Sequence, residues 1–249
     1  MIYLYAVLRK DDAARVGASG IFGGAVETRT IEETTFLLEE VPGPVLQSAL
    51  GEGARDDDRV LHNAALAHQA FLSEVCAKHD VLPFRFGTAI EDDAALASLV
   101  HDQSEAFCSA LDTIAGHLEW GIKVTRTEDA RKKQPAAAPA SGADYLRALS
   151  ARKQSSDQSR QKMADLCRVI AAEVSGMAKA VQALSLRSND NTEARLLNMA
   201  CLLPRGSDEA LGKAINEAVS RFEDLPIRIE ITGPWPPFSF AATENGPSE

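Results

Sequence analysis

The clearest structural signal in the sequence is the apolar stretch Ile2-Tyr-Leu-Tyr-Ala-Val-Leu8. Alternate positions of a β-strand point to opposite faces, and both sets of side chains in this stretch are largely apolar. A strand that is apolar on both faces is typical of the interior of a sheet that is covered on each side. The sequence therefore predicts that the chain begins with a strand inside a sheet.

The next segments alternate between strand and helix patterns. Acidic runs, Asp56-Asp57-Asp58 and Glu91-Asp92-Asp93, are typical N-caps for the two helices. The predicted elements are strands at 34–41, 81–88 and 120–125, a helix after residue 58 and a second helix after residue 93. This pattern predicts an α+β domain over residues 1–126, and we interpret it as a ferredoxin-like α/β sandwich with its helices on one sheet face.

The remainder of the chain predicts a second domain. Residues 127–141 have the composition of a linker, and 241–249 that of a flexible tail, which leaves 142–240 as a C-terminal α+β domain. Apolar residues at alternating spacings of three and four, from Met163 to Leu184, predict a long helical region that reaches about residue 187. The polar stretch 150–162 is either exposed helix or a break between two helices. A strand at 196–203, a short helix after Ser207 and a strand at 227–231 complete the prediction.

Composition narrows the functional classes. The net charge is −10, which disfavours binding to phosphate backbones, so we expect no nucleic-acid partner. The sequence shows no signal-peptide pattern at its start and no apolar run long enough to cross a bilayer, so we expect a cytoplasmic protein without membrane contact. Four widely spaced cysteines, without a Cys-x-x-Cys pair, predict buried reduced thiols.

Catalytic patterns are missing from the sequence. The five histidines form no His-Glu-x-x-His motif, and neither a Gly-x-Ser-x-Gly elbow nor a phosphate-binding loop occurs. His68 lies beside the predicted buried stripe of its helix, so we interpret it as a structural histidine. We therefore predict that the protein is not an enzyme and that it has no catalytic residues, no cofactor and no metal site.

Two segments are candidates for structural or partner contacts. In the predicted strand 81–88, Arg85 lies between two phenylalanines and is followed by Gly87 and Thr88. Arg85 either forms an ion pair at the end of a core strand or contacts another domain or a partner, since its guanidinium offers a rigid fork of donors.

The second candidate is Gly233-Pro-Trp-Pro-Pro-Phe-Ser-Phe240. Its prolines lack backbone donors, so we expect this segment to leave the sheet and to bury Trp235, Phe238 and Phe240. The rings are buried either against the protein's own domains, which the segment would join, or against a partner.

Five motifs now make the chain similar to a known family. They are Tyr3-Leu-Tyr5-Ala-Val7, Val81-Leu-Pro-Phe-Arg-Phe-Gly-Thr88, Glu119 leading into Gly121-Ile-Lys-Val124, Gly142-Ala-Asp-Tyr145-Leu146, and Thr232-Gly-Pro-Trp-Pro-Pro-Phe-Ser-Phe240. In this order they resemble the gas vesicle GvpL/GvpF family over nearly the whole chain. Phe84 stands where the family often has Met, and Phe238 where it often has Tyr, so no hydroxyl is available at position 238.

The resemblance implies a function that the residues alone do not. It implies a minor structural or accessory protein required for gas vesicle formation, associated with the vesicle, that binds the major shell protein GvpA and other accessory gas vesicle proteins during assembly. It also implies two α+β domains, the first of them ferredoxin-like, and neither catalysis nor a cofactor. The alternative is a soluble ligand-binding or regulatory α+β protein without shell contact, because fold alone does not decide function.

Overall fold

The computed structural model of the chain describes residues 1–12, 19–50, 58–127, 141–187, 194–222 and 225–241. These residues form two compact units. The first comprises Met1–Glu119 and the segment that begins at Pro234, and the second comprises Trp120–Gly233. The central parts of the predicted linker and tail, 128–140 and 242–249, lie outside the described residues, as do Asp56 and Asp57. The predicted domain bounds stay a prediction.

The first unit is built around the amino-terminal strand. Its elements are β1 (Ile2–Arg9), β2 (Val26–Ile31), β3 (Thr34–Glu40), α1 (Gly43–Leu50), α2 (Asp58–Cys76), β4 (Leu82–Pro83), β5 (Ala89–Ile90) and α3 (Asp93–Ile114). The strand order is β2-β3-β1-β4, with β5 also paired to β1, and each of these pairings is antiparallel. Every residue from Ile2 to Leu8 is buried, which confirms the prediction that β1 lies inside a sheet.

The second unit contains most of β6 (His117–Arg126), then α4 (Gly142–Met177), β7 (Ala180–Ala183), β8 (Arg195–Pro204) and α5 (Asp208–Ser220), and most of β9 (Ile227–Trp235). Its strand order is β7-β8-β6-β9. The core packs the carboxyl-terminal half of α4 and the inner face of α5 with residues of β6 and β8. The architecture is therefore α+β, as predicted, and the structure adds that its two sheets are antiparallel.

Three details differ from the sequence-based expectations. The ferredoxin-like interpretation is not confirmed, because three strands precede the first helix of the first unit, whereas a ferredoxin-like domain follows the order β-α-β-β-α-β. The predicted helix to residue 187 is wrong beyond Met177. There the backbone N–H of Lys179 donates to the Leu202 carbonyl, and Val181 pairs with Cys201 in a sheet while its side chain is exposed.

The third difference is the predicted strand at 81–88, which is wrong beyond Pro83. Strand pairing is restricted to Leu82 and Pro83, opposite Val7 and Ala6 of β1. Gly87 adopts φ +90°, a conformation that glycine tolerates and that an extended strand does not use. The chain therefore forms a turn, and Phe84 and Phe86 do not share one face of a strand.

Candidate functional site

Two tyrosines of β1 bring polar groups into the first unit's core. The rings of Tyr3 and Tyr5 pack edge to face with centroids 5.0 Å apart, and both side chains are fully buried. Burial and neighbouring groups raise the pKa of each phenol well above its ordinary value, with desolvation the largest cause. Both hydroxyls therefore remain protonated and act as hydrogen-bond donors.

The Tyr3 hydroxyl joins a histidine to the turn that follows β4. It lies 2.9 Å from Nδ1 of His68 and accepts the backbone N–H of Gly87 at 3.2 Å. Nε2 of His68 lies 3.1 Å from the carbonyl oxygen of Phe84, which can only accept, so Nε2 carries the proton and Nδ1 accepts from Tyr3. Burial lowers the pKa of His68, an effect that the bond to Phe84 partly opposes. His68 is thus a satisfied core residue, as predicted.

The Tyr5 hydroxyl forms a parallel arrangement around Glu39. It donates to Oε2 of the buried Glu39 at 2.6 Å and accepts the backbone N–H of Ile21 at 2.8 Å. The same carboxyl group also accepts the backbone N–H groups of Phe22 and Gly24. A Cβ atom at Gly20 would lie 2.0 Å from Glu39 Oε2, so the close approach of this loop requires glycine there.

The turn after β4 presents the predicted residues Arg85, Gly87 and Thr88. Thr88 donates both its backbone N–H and its hydroxyl to the Arg85 carbonyl, at 3.1 and 2.7 Å, and its own carbonyl accepts the Leu4 N–H. The Arg85 side chain is exposed and makes no ion pair within the part of the chain that the structure describes. The turn therefore has a fixed backbone and a free guanidinium.

The carboxyl-terminal segment returns to the first unit and is held there by a buried carboxyl group. Glu119, which is 8% exposed, accepts the backbone N–H of Ser239 at 2.7 Å and its hydroxyl at 2.6 Å. Desolvation raises the pKa of Glu119, and the two bonds from Ser239 oppose this shift. Phe238, at the start of the 3-10 helix Phe238–Phe240, packs against the first unit's core.

Trp235 differs from the expectation that its ring is buried. It is 36% exposed, whereas Pro236 and Pro237 are buried and Phe238 and Phe240 are half-buried. The expectation that the segment leaves the sheet at Gly233 is also wrong, since β9 continues to Trp235. Because β9 is an edge strand, Pro234 can lie in it without breaking a ladder on both sides.

His68 is where the two candidate segments meet. Its ring contacts that of Phe86 from the turn, with centroids 5.7 Å apart, and that of Phe238 at 6.5 Å. The sequence predicted Arg85, Gly87, Thr88, Phe238 and Phe240 as contact residues but did not identify the groups that hold their segments, which are Tyr3, Glu119 and Ser239. It also did not identify the role of Glu39, which holds the loop at Phe22 and Gly24. An acidic residue inside the apolar run 34–41 was the one available signal for Glu39.

The described residues around His68 form no arrangement typical of catalysis or of metal binding. Both His68 nitrogens are engaged and the ring is 1% exposed, so it is not placed to exchange protons with a substrate. Among the described residues, no group of three or more His, Cys, Asp or Glu side chains is arranged to hold a metal ion. Within the same described residues, no helix is long and apolar enough to cross a membrane.

Comparison with known proteins gives a consistent result. The family model for "Gas vesicle synthesis protein GvpL/GvpF" matches residues 1–242. Gas vesicle protein L from Streptomyces sp. (strain CB03234) is 32% identical over 96% of this chain and 92% of its own length. Gas vesicle protein F2 from Halobacterium salinarum is 23% identical over 96% and 91%.

The fold is also that of a solved structure. The crystal structure of the gas vesicle protein GvpF from Anabaena sp. PCC7120 superposes with a TM-score of 0.69 and 17% identity, covering 100% of this chain and 98% of that one. The GvpF structure from Microcystis aeruginosa gives a TM-score of 0.68 at 18% identity, over 97% and 99%. At these identities the superpositions show the α+β fold alone.

Proposed function

The chain belongs to the gas vesicle synthesis protein GvpL/GvpF family, which gives it a role in gas vesicle formation, and we propose that it is an accessory or minor structural protein that binds the shell protein GvpA during assembly. Other accessory gas vesicle proteins are further proposed partners, and the proposed location is the cytoplasm, at the growing vesicle. Catalysis is not part of this proposal.

The observation that carries the proposal is the pairing of exposed side chains with a fixed backbone. Arg85 is exposed on a turn whose neighbour Gly87 bonds to the buried Tyr3 hydroxyl. Trp235 is exposed immediately before prolines that are buried, in a segment that Glu119 holds through Ser239. Arg and Trp are the residue types most enriched among the residues that dominate binding energy at protein interfaces. Because the backbones beneath them are already ordered, binding costs little further conformational entropy.

The proposal is tested in a gas-vesicle-forming strain from which this gene has been deleted. We expect the deletion to abolish vesicles, the wild-type gene to restore them, and a tagged wild-type protein to recover GvpA on purification. Normal vesicles in the deletion strain would show that the protein is dispensable for assembly. Restored vesicles without recovered GvpA would keep the role in formation and remove the proposed contact.

The two proposed contacts are tested with the double variant Arg85→Ala/Trp235→Ala. We expect it to fold but to recover about tenfold less GvpA, because both proposed contacts are lost. The matched control is Lys78→Ala/Leu186→Ala, which removes an exposed cation and an exposed apolar side chain elsewhere on the chain. Equal loss in both double variants would show that the effect is not specific to Arg85 and Trp235.

A further inference from the structure

A second surface is provided by the amino-terminal half of α4. The helix spans Gly142–Met177, 36 residues, and is about 54 Å long. From residue 145 to residue 162 nearly every side chain is exposed, whereas burial begins at Met163 and recurs at Leu166, Ile170 and Val174. About half of this helix therefore extends beyond the core that stabilises the rest of it.

The exposed half continues the face that packs against the core. Tyr145, Leu149 and Arg152 each precede a buried or nearly buried residue, Met163, Cys167 and Ile170 respectively, by eighteen positions, which is about five helical turns. Residues at this spacing share one face of a helix. The helix thus presents the same face to the core in one half and to solvent in the other.

The amino-terminal tip of α4 is apolar, with Tyr145 and Leu149 on this solvent-exposed face and Leu146 beside it. Tyr145, Leu146 and Leu149 are each more than half exposed, and they lie within little more than one turn of each other. Isolated apolar residues are normal on a surface, but a cluster at helical spacing is typical of a face that receives another helix.

The same half of α4 is basic in an acidic protein. Residues 142–162 contain five basic and two acidic residues, a net charge of +3, while the whole chain carries −10. Asp157 pairs with Arg160 at 3.3 Å. Arg152, Lys153 and Lys162 have no ion-pair partner within the described part of the chain, so their charge faces solvent.

We infer that residues 145–162 of α4 form a docking surface for an acidic amphipathic helix of a partner protein. The apolar tip would receive the partner's apolar stripe, and Arg152, Lys153 and Lys162 would face its carboxylates. The same half of α4 in a second copy is a poor occupant, because two helices of charge +3 repel each other. A lipid surface fits less well, since three apolar side chains over six turns give a weak membrane anchor. This surface lies in the second unit and does not depend on the contact proposed above.

Designed peptides of about 21 residues, long enough for six turns, test this inference on the full chain. The acidic probe carries leucine at helical spacing with glutamate on its remaining face, and the basic probe replaces each glutamate with lysine. Fluorescence anisotropy measures binding at low and at physiological salt. We expect the acidic probe to bind at least about tenfold more tightly than the basic one, and more weakly as salt screens the charges.

Two variants separate the contributions of charge and apolar contact. Arg152→Glu/Lys153→Glu should reverse the preference, so that the basic probe binds more tightly than the acidic one. Leu146→Gln/Leu149→Gln should weaken both probes while keeping the helix, because glutamine and leucine have similar helix propensities. The control Lys10→Glu/Lys78→Glu changes the net charge by the same amount on exposed residues of the first unit and should leave the preference unchanged.

The alternatives give different results. An unchanged preference in the charge-reversed variant, equal binding of both probes by the wild type, or no binding of either would overturn the inference. The inference would also be overturned if the protein bound vesicles of phosphatidylcholine and phosphatidylglycerol more tightly than it binds the acidic probe. Self-association of the protein in sedimentation, abolished by the charge reversal, would overturn it as well. None of these peptide, vesicle or sedimentation measurements depends on whether the protein recovers GvpA.

Discussion

Aromatic or apolar side chains occur both in the carboxyl-terminal segment, residues 233–240, and in the amino-terminal half of α4. Those of the first region pack largely against the protein, whereas those of the second are exposed to solvent. Phe238 and Ser239 are fastened to the first unit by the core and by Glu119. Tyr145, Leu146 and Leu149 lie on a helix whose nearest buried residue is Met163, several turns away. The carboxyl-terminal segment therefore contributes to the stability of the first unit, whereas the exposed half of α4 is stabilised little by packing against the rest of the protein.

The difference shows how a sequence separates stability from recognition. Three neighbouring aromatic residues of the carboxyl-terminal segment are not equivalent: Phe238 and Phe240 are half-buried, while Trp235 is among the exposed large hydrophobic residues. Substitutions that disturb the held segment should lower stability, and substitutions on α4 or at Trp235 should leave it nearly unchanged.

The largest effect is expected for Glu119→Ala. The substitution leaves the Ser239 N–H and hydroxyl without their acceptor in a partly buried place, at a cost of about 3 kcal/mol in the free energy of unfolding. Urea denaturation measures this loss. Glu119→Gln keeps one acceptor oxygen and should lose about 1 kcal/mol. If Glu119→Ala were as stable as Lys153→Ala on α4, the segment would not be held as described.

Phe238→Ala should have the next largest effect. The ring packs beside His68 and against the first unit's core, but it is only half-buried, so we expect a loss of about 2 kcal/mol, below the ~3–5 kcal/mol of a fully buried aromatic ring. Thermal unfolding followed by circular dichroism measures it. A loss below that of Leu146→Ala on the exposed helix would contradict the difference between the two regions.

The pH dependence of stability should report His68. Its folded-state pKa lies below the ordinary 6.5, so the unfolded chain binds the proton more readily. The stability from neutral His68 is fully present above pH 6.5 and is lost as the pH falls through the lowered value. Glu119, whose pKa is raised, contributes in the opposite direction, so the comparison needs single variants. The free energy of unfolding of wild type should fall below pH 6.5 through His68, and that part of the fall should be absent in His68→Gln. Identical pH profiles of the two free energies would refute this role.

The smallest effect is expected for Leu146→Gln/Leu149→Gln on α4. Both side chains are already exposed, so the free energy of unfolding should change by less than about 0.5 kcal/mol. Urea denaturation beside wild type checks this. A loss comparable to that of Phe238→Ala would mean that the tip of α4 is packed in the folded protein.

Much of the fold could be predicted because its patterns are local. The doubly apolar β1, the cap at Asp92 that accepts the Ala95 N–H, and the alternation of Ile227 and Ile229 with exposed Arg228 and Glu230 each follow from neighbouring residues. The strand β2 is not predicted from the sequence because its exposed polar residues, such as Glu27 and Thr28, conceal a pattern that only pairing with β3 completes.

The site could be predicted only in part, because its supports are distant in sequence. Glu119 and Ser239 are 120 positions apart, and Tyr3 and His68 are 65 apart. Periodicity indicates that a residue is buried but not which polar group it meets. The apolar spacing of α4 likewise continued through Val181 and Leu184, although pairing of that segment with β8 made it a strand.

The most direct test is to measure the melting temperature and GvpA recovery of Trp235→Ala on one preparation. Because the ring is exposed while its neighbours hold the segment, we expect the melting temperature to change by no more than about 2 °C and GvpA recovery to fall about tenfold. A clear drop in melting temperature with undiminished GvpA recovery would show that Trp235 serves the fold and not the partner.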